Sequence, residues 1–244
     1  MGIVRWGPPE ELVLILKRAF SIDMFIETGT FKGHSTSWAA AHFPSVISIE
    51  AGQKLYQEAK ERYAHHKNIE FICGDGPTEL AKIVPRLNEP AIFWLDSHWC
   101  GEDSCKLDIE CPLIQELEAL ARSKTAHFIL IDDARFFLSP PPRFHDRSQW
   151  PDIAQVIDSL RSGHADTYTI VLEDVIIAVP PYAKTLVGEY AQEVNEPPEP
   201  PPPPIGLAQV RRGKWLMKEG AKDVLYGLKS AVRQCRGYNG AGTP

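Results

Sequence analysis

The sequence has no run near the ~18 consecutive apolar residues that a membrane-spanning helix needs, so no span is predicted. Met1 to Glu11 lacks a basic start followed by an apolar stretch, which argues against a secretory signal. Cysteine is scarce and odd in number, five in 244 residues, and that does not make a disulfide framework. A chain of this length with 43% hydrophobic residues can bury one sizeable core without such staples. These features indicate a reducing, cytoplasmic setting. An excess of positive charge is also missing: 26 Lys and Arg stand against 32 Asp and Glu, for a net charge of −6. An acidic balance argues against nucleic acid as the main partner. No internal repeat of ~20–50 residues is visible, which excludes solenoids and propellers.

Proline, by contrast, is concentrated. Seven of the eight residues from Pro197 to Pro204 are proline. Proline fixes φ and lacks an amide hydrogen, so this stretch favours polyproline II and marks a boundary. It reads either as a stiff spacer or as a ligand for a proline-recognising domain. The expected organisation is a domain over 1–192, a linker over 193–204 and a tail over 205–244. The tail holds eight Lys and Arg against Glu219 and Asp223. Met217, Ala221, Val224, Leu225, Leu228, Ala231, Val232 and Cys235 recur there at helical spacing. A basic amphipathic helix of this kind suits an anionic membrane surface or a protein partner, or it packs back on the acidic body. Peripheral membrane attachment therefore stays open.

Before the linker, strands and helices alternate. Short apolar strands are predicted at Met24–Glu27, Val46–Glu50, Ile69–Cys73, Ala91–Leu95 and Phe128–Ile131, with helical patterns between them. Alternation of this kind indicates an α/β domain with a mostly parallel sheet. Tyr168–Leu172 and Val175–Val179 are separated only by Glu173-Asp174, which fits a hairpin and makes one strand antiparallel to the rest.

The first strand ends in Glu27-Thr28-Gly29-Thr30-Phe31-Lys32-Gly33. Glycines between a strand and a helix let the backbone approach a ligand at the helix N-terminus, or simply make a tight turn. The spacing is not Gly-x-Gly-x-x-Gly, because position 31 is Phe, so a nicotinamide dinucleotide is disfavoured. Glu50 ends the second strand, where a carboxylate can accept both hydroxyls of a ribose. The third strand runs into Cys73-Gly74-Asp75-Gly76, a ligand-facing Asp or an ordinary turn.

These four motifs, Glu-Thr-Gly-Thr-Phe-Lys-Gly, Val-Ile-Ser-Ile-Glu, Gly-Asp and Phe-Trp-Leu-Asp, resemble in order and spacing those of class I S-adenosylmethionine (SAM)-dependent methyltransferases. The resemblance covers about residues 20–180. It implies a Rossmann-like, doubly wound sheet of seven strands with an antiparallel C-terminal hairpin. It also implies SAM beside Glu27, Gly29, Gly33 and Asp96, its ribose on Glu50 and its adenine near Asp75. Many members have Asp where this chain has Glu27.

The fourth and fifth strands run into Leu95-Asp96-Ser97-His98 and Ile131-Asp132-Asp133. In the family's strand order these ends are neighbours, so three carboxylates converge and need positive charge. Hard oxygen ligands suit Mg²⁺ or Mn²⁺. The pattern resembles the metal-dependent, macrocin-type O-methyltransferases, which implies metal on Asp96, Asp132 and Asp133 and a catalytic role for Asp96 and His98, with His98 as general base. Aspartates at these positions also serve as caps. His98 with Cys100, Cys105 and Cys111 could instead hold zinc, although the cysteine spacing is unusual for it. Cys73 is expected in the core.

Leu95-Asp96-x-His98-Trp99, Cys111-Pro112-Leu113, Ile131-Asp132-Asp133-Ala134-Arg135 and His145-Asp146-x-x-x-Trp150 resemble a group of small bacterial proteins as well. Phe136–Trp150 reads as a loop over the active edge, a substrate lid or a surface excursion. The function these features imply is SAM-dependent transfer of a methyl group to a hydroxyl of a small molecule or glycan intermediate, with divalent-metal assistance. The alternative is a non-catalytic module that binds SAM or a partner on the same fold.

Overall fold

The computed structural model describes residues 6–99, 109–196 and 211–222. The chain divides into two compact units, Met1–Asn195 and Glu196–Pro244. The first unit begins with α1 (Glu10–Phe20), β1 (Met24–Thr28), α2 (His34–His42), β2 (Ser45–Glu50), α3 (Gln53–Arg62) and β3 (Ile69–Cys73). It continues with α4 (Gly76–Ile83), β4 (Ile92–Leu95), α5 (Leu113–Leu120), β5 (Phe128–Ile131), α6 (Arg135–Leu138) and α7 (Ile153–Gly163). The hairpin strands β6 (Tyr168–Leu172) and β7 (Val175–Val179) precede α8 (Lys184–Asn195).

The seven strands lie in the order β3-β2-β1-β4-β5-β7-β6. β1 to β5 pair in parallel, and β7 runs antiparallel to both β5 and β6. The sheet and its hairpin match the architecture expected from the sequence. Alternate residues of each strand feed opposite faces, as the twofold period of a strand requires. Ile26, Phe93, Leu95, Ile131 and Ile176 pack on one side with Leu80 of α4, Leu117 of α5 and Val156 of α7. Phe25, Trp94, Leu130 and Ile177 pack on the other side with Leu12 of α1, Ala39 of α2 and Val187 of α8. Burial on both faces of β1, β2, β4, β5 and β7 explains why these strands read as near-continuous apolar runs.

Helix boundaries follow local chemistry. α7 begins at Ile153, where Asp152 and Gln155 form a reciprocal capping box. α4 gives way to a 3₁₀ turn at Val84–Arg86, which contains Pro85. α8 was not read from the sequence, and it carries the chain past residue 192, where the sequence reading ended the domain. Cys73 is a second correction: it lies on the edge strand β3, is exposed, and its thiol donates to Gln53 Oε1 at 3.1 Å.

In the second unit, residues 211–222 are helical, and Trp215, Leu216 and Met217 are exposed on that helix. The Pro197–Pro204 stretch and the apolar positions from Val224 to Cys235 lie outside the described residues. No helix among the described residues is long and apolar enough to cross a membrane.

Candidate active site

The strand order reverses between β1 and β4, so the carboxyl ends of these strands diverge into a crevice, the usual ligand position in open α/β sheets. Register sets the level of the edge. Thr28 pairs with Leu95, and Leu95 with Ile131. The next residues continue the ladder, with Asp96 N–H on Thr28 O at 3.1 Å and Asp132 N–H on Leu95 O at 3.1 Å. A cleft of about 770 Å³ opens above them. Gly29, Gly33, Glu50, Asp75, Asp96, His98, Asp132 and Asp133 all line it.

Glu27 does not line it. Its carboxylate is fully buried beneath the glycine loop. It accepts hydrogen bonds from Ser48 Oγ at 2.6 Å, Ser35 Oγ at 2.7 Å and Thr36 Oγ1. Burial pushes its pKa up, against those hydrogen bonds. Glu27 therefore ties the start of α2 to β2 and shapes the loop from below.

Both glycines adopt left-handed backbone, φ +85° at Gly29 and +74° at Gly33. A Cβ at Gly29 would overlap the Asp96 carbonyl oxygen, so β1 can end this close to β4 only with glycine there. A Cβ at Gly33 would lie 2.6 Å from the Tyr63 ring. α2 starts directly after Gly33, with no side-chain cap on its first-turn amides, and His34 and Ser35 face the cleft. Across from it, buried Glu50 accepts Phe31 N–H and Gly52 N–H, each at 2.8 Å, one on each carboxylate oxygen. Its remaining lone pairs can accept further donors. Asp75 caps α4 by accepting from Thr78 N–H at 3.2 Å and Thr78 Oγ1 at 2.8 Å, so its turn role is real although it also borders the cleft. An uncapped helix start, a carboxylate at the end of β2 and the apolar Ile49 and Leu55 beside it make a surface that fits SAM.

The three aspartates line one part of the cleft, and Asp133 is paired with His98 and Arg135. Asp133, at φ +55°, has Oδ2 2.7 Å from His98 Nε2 and Oδ1 2.6 Å from Arg135 Nη1. Arg135 is held in turn by Asp174 of the β6–β7 turn, which also accepts its backbone N–H at 3.0 Å. Burial alone would raise the Asp133 pKa, yet the hydrogen bond and charge of His98 and the cation of Arg135 bring it down. An ionised Asp133 only accepts, so His98 carries a proton on Nε2 and donates it to Oδ2. His98 Nδ1 lies 3.6 Å from Asp96 Oδ1. Burial pushes Asp96 up to about 7 against the charge of His98, and pushes Asp132 up to about 8 with added repulsion from Asp96 and Asp133. Asp132 Oδ1 accepts Asp133 N–H at 2.7 Å.

This arrangement does not fit the metal centre implied for Asp96, Asp132 and Asp133. Both oxygens of Asp133 are engaged, Oδ2 by His98 and Oδ1 by Arg135, and a metal ion there would have to displace one of them. Among the described residues, no group of three or more His, Cys, Asp or Glu is arranged to hold one. The zinc alternative falls on Cys100 and Cys105, which lie outside the described residues. Its third cysteine, Cys111, is buried, and burial pushes the thiol up to about 11.

Three parts of the site were missed in the sequence. The Arg135–Asp174 pair joins the fifth strand end to the hairpin turn. Glu110, buried, gathers the 136–150 loop: its Oε2 accepts from Asp146 N–H at 3.0 Å, Trp150 Nε1 at 3.3 Å and His145 Nδ1 at 3.3 Å. Glu116, buried on α5, accepts from Ser97 Oγ at 2.9 Å, and burial pushes it up to about 7 against that hydrogen bond. The 136–150 loop contributes Phe136, Phe144 and His145 to the cleft wall.

No family model and no curated protein matches the sequence. Solved structures are similar in fold. A Staphylococcus aureus protein assigned as a caffeoyl-CoA O-methyltransferase superposes with a TM-score of 0.51 at 16% identity, covering 73% of this chain and 85% of its own. An O-methyltransferase from Bacillus cereus, solved in complex with S-adenosylhomocysteine, gives 0.47 at 16% identity over 71% and 82% of the two chains. The O-methyltransferase TomG from Streptomyces achromogenes, solved with SAM, gives 0.45 at 16% identity over 70% and 79%. With its seven strands in this order and an antiparallel β7, the chain has the Rossmann-like fold of the SAM-dependent methyltransferases.

Proposed function

We propose that the protein is a SAM-dependent methyltransferase directed at a hydroxyl oxygen. The observation that carries this reading is the joining of two surfaces in one cleft: the glycine loop with Glu50 on one side, and the Asp133–His98–Asp96 group on the other. SAM supplies a methyl group on a sulfonium sulfur; the acceptor oxygen takes the methyl, and the C–S electron pair stays on sulfur. The chain's residues do the rest. Glu50 accepts the ribose hydroxyls, the α2 amides face a carboxylate, and Asp75 and Leu55 flank the base. Asp133 orients the imidazole through Nε2–H, as a carboxylate orients a catalytic histidine elsewhere. Nδ1 takes the acceptor's proton, and Asp96 beside it stabilises the imidazolium that results. Catalysis is otherwise positioning. The resemblance also implies Mg²⁺ or Mn²⁺; the pairing of Asp133 with His98 and Arg135 supports a reading in which the protein's own side chains compensate the charge.

Methyl-labelled SAM incubated with hydroxylated acceptors tests the reading. Label in an acceptor, lost in His98→Ala, supports it. SAM bound without turnover on any acceptor assigns the fold to a non-catalytic binding module instead. In the same reading residues 193–204 are a spacer, and the basic tail from 205 contacts an anionic membrane or a protein. A chain ending at Glu196 then keeps SAM binding and loses binding to anionic vesicles. Unfolding of that shortened chain overturns the division.

A further inference from the structure

The cleft holds a second carboxylate–imidazole pair, made by Glu110 and the 136–150 loop. Only 2% of the His145 side chain and 3% of that of Glu110 are exposed, and His145 Nδ1 lies 3.3 Å from Glu110 Oε2. The same oxygen accepts Asp146 N–H and Trp150 Nε1–H. Hydrogen bonds of this kind favour the ionised carboxylate, and an ionised carboxylate only accepts. In the neutral imidazole the proton therefore sits on Nδ1, and Nε2 is a bare acceptor. That nitrogen has no hydrogen-bond partner among the described residues, and His145 lines the cleft.

Packing alone does not account for Nε2. The ring sits among those of Phe144, Trp150, Trp99 and Phe136, at centroid distances of 4.2, 5.0, 5.5 and 5.8 Å. A ring nitrogen without a partner in such surroundings carries a desolvation cost, which a ligand in the cleft removes. Anchoring of the loop needs only Nδ1. Trp150 also fixes where the pair stands, because His98 packs on the same indole, at 5.3 Å. Both imidazoles thus belong to the part of the cleft beyond β4 and β5, away from Glu50 and the glycine loop. Resting on the methyltransferase reading above, we propose that His145 is a specificity-determining residue on the acceptor side. Its Nε2 accepts a hydrogen bond from an O–H or N–H of the bound acceptor other than the hydroxyl that is methylated. Glu110 is a positioning residue that acts through His145, and no proton leaves the acceptor at this site.

The test uses the full chain. Long-range proton–nitrogen NMR of histidine-labelled protein reads the tautomer with no acceptor present. A proton on Nδ1 of His145 and none on Nε2 is expected; a proton on Nε2 overturns the proposal. Kinetics at saturating SAM then use the hydroxylated acceptor that takes up methyl label. His145→Asn keeps an N–H toward Glu110 and loses Nε2, whereas His145→Gln puts an amide near the Nε2 position and gives up the bond to Glu110. His145→Asn is expected to raise the acceptor KM about three- to tenfold, with kcat and the Kd for SAM within about twofold. His145→Gln is expected to recover part of that KM while its Tm falls. A wild-type KM in His145→Asn with His145→Gln impaired is the pattern of a mere loop anchor and overturns the proposal, as does a loss confined to kcat. SAM bound with no label on any acceptor overturns the methyl-transfer reading beneath it instead, and the tautomer result is unaffected by that failure.

Discussion

The two ends of the cleft are built differently. At the β1–β2 end, the cleft rests on backbone: left-handed glycines, uncapped amides at the start of α2, and a carboxylate one residue beyond the last β1–β2 pair. At the β4–β5 end it rests on side chains collected from distant places, with Asp133 held between His98 and Arg135, and Arg135 held by Asp174. Backbone devices leave a contiguous signature in the sequence. A charge network leaves only separate residues whose partners must be guessed.

The comparison breaks most visibly at His98. His98→Ala should lower kcat by ~10²–10⁴-fold, the usual contribution of a general base, with the Kd for SAM unchanged. Stopped-turnover assays beside calorimetry measure both. A matching loss of SAM affinity would merge the two ends that the structure keeps apart.

Beneath the cleft, Glu116 predicts a pH dependence of stability. Its folded pKa of about 7 lies above the ordinary 4.5. Between those values the folded chain keeps a proton that the unfolded chain has lost, so stability falls as pH rises through this window and the penalty is complete above 7. The loss from Glu116 is of order 1–3 kcal/mol between about pH 5 and 8. Denaturant melts of Glu116→Gln should lack that part of the slope, leaving the variant more stable than wild type at high pH. Parallel curves for the two proteins would remove Glu116 from this account.

At the backbone end, Glu50→Ala should weaken SAM by roughly 1.5–3 kcal/mol, about ten- to a hundredfold, since it removes a charged acceptor. Its effect on the acceptor KM at saturating SAM should be small. The smallest expected effect is that of chelation: EDTA should leave turnover and Tm unchanged, because Asp133 is already paired. A loss of turnover restored by Mg²⁺ or Mn²⁺ would return the site to the metal reading.

Fold was legible because burial on both faces writes strands as apolar runs, and because Glu173-Asp174 leaves no room for anything but a turn. α8 escaped because its apolar positions are sparse and only Val187 of that helix is buried. That Gly29 and Glu50 line the cleft was legible from their places at strand ends. Glu27 was placed one layer too high: position within the motif does not tell a ligand from the residue that braces it. Glu110 and Trp150 meet across 40 residues of sequence, and Asp133 and Asp174 are joined only through Arg135. Nothing local marks such pairs. In the structure Glu110 holds the 136–150 loop at three points, and part of that loop lines the cleft.

Calorimetric titration of the full chain with SAM and, separately, with NADH tests the central claim most directly. The account predicts saturable binding of SAM, weakened in Glu50→Ala, and no binding of NADH. Binding of NADH without SAM would contradict it.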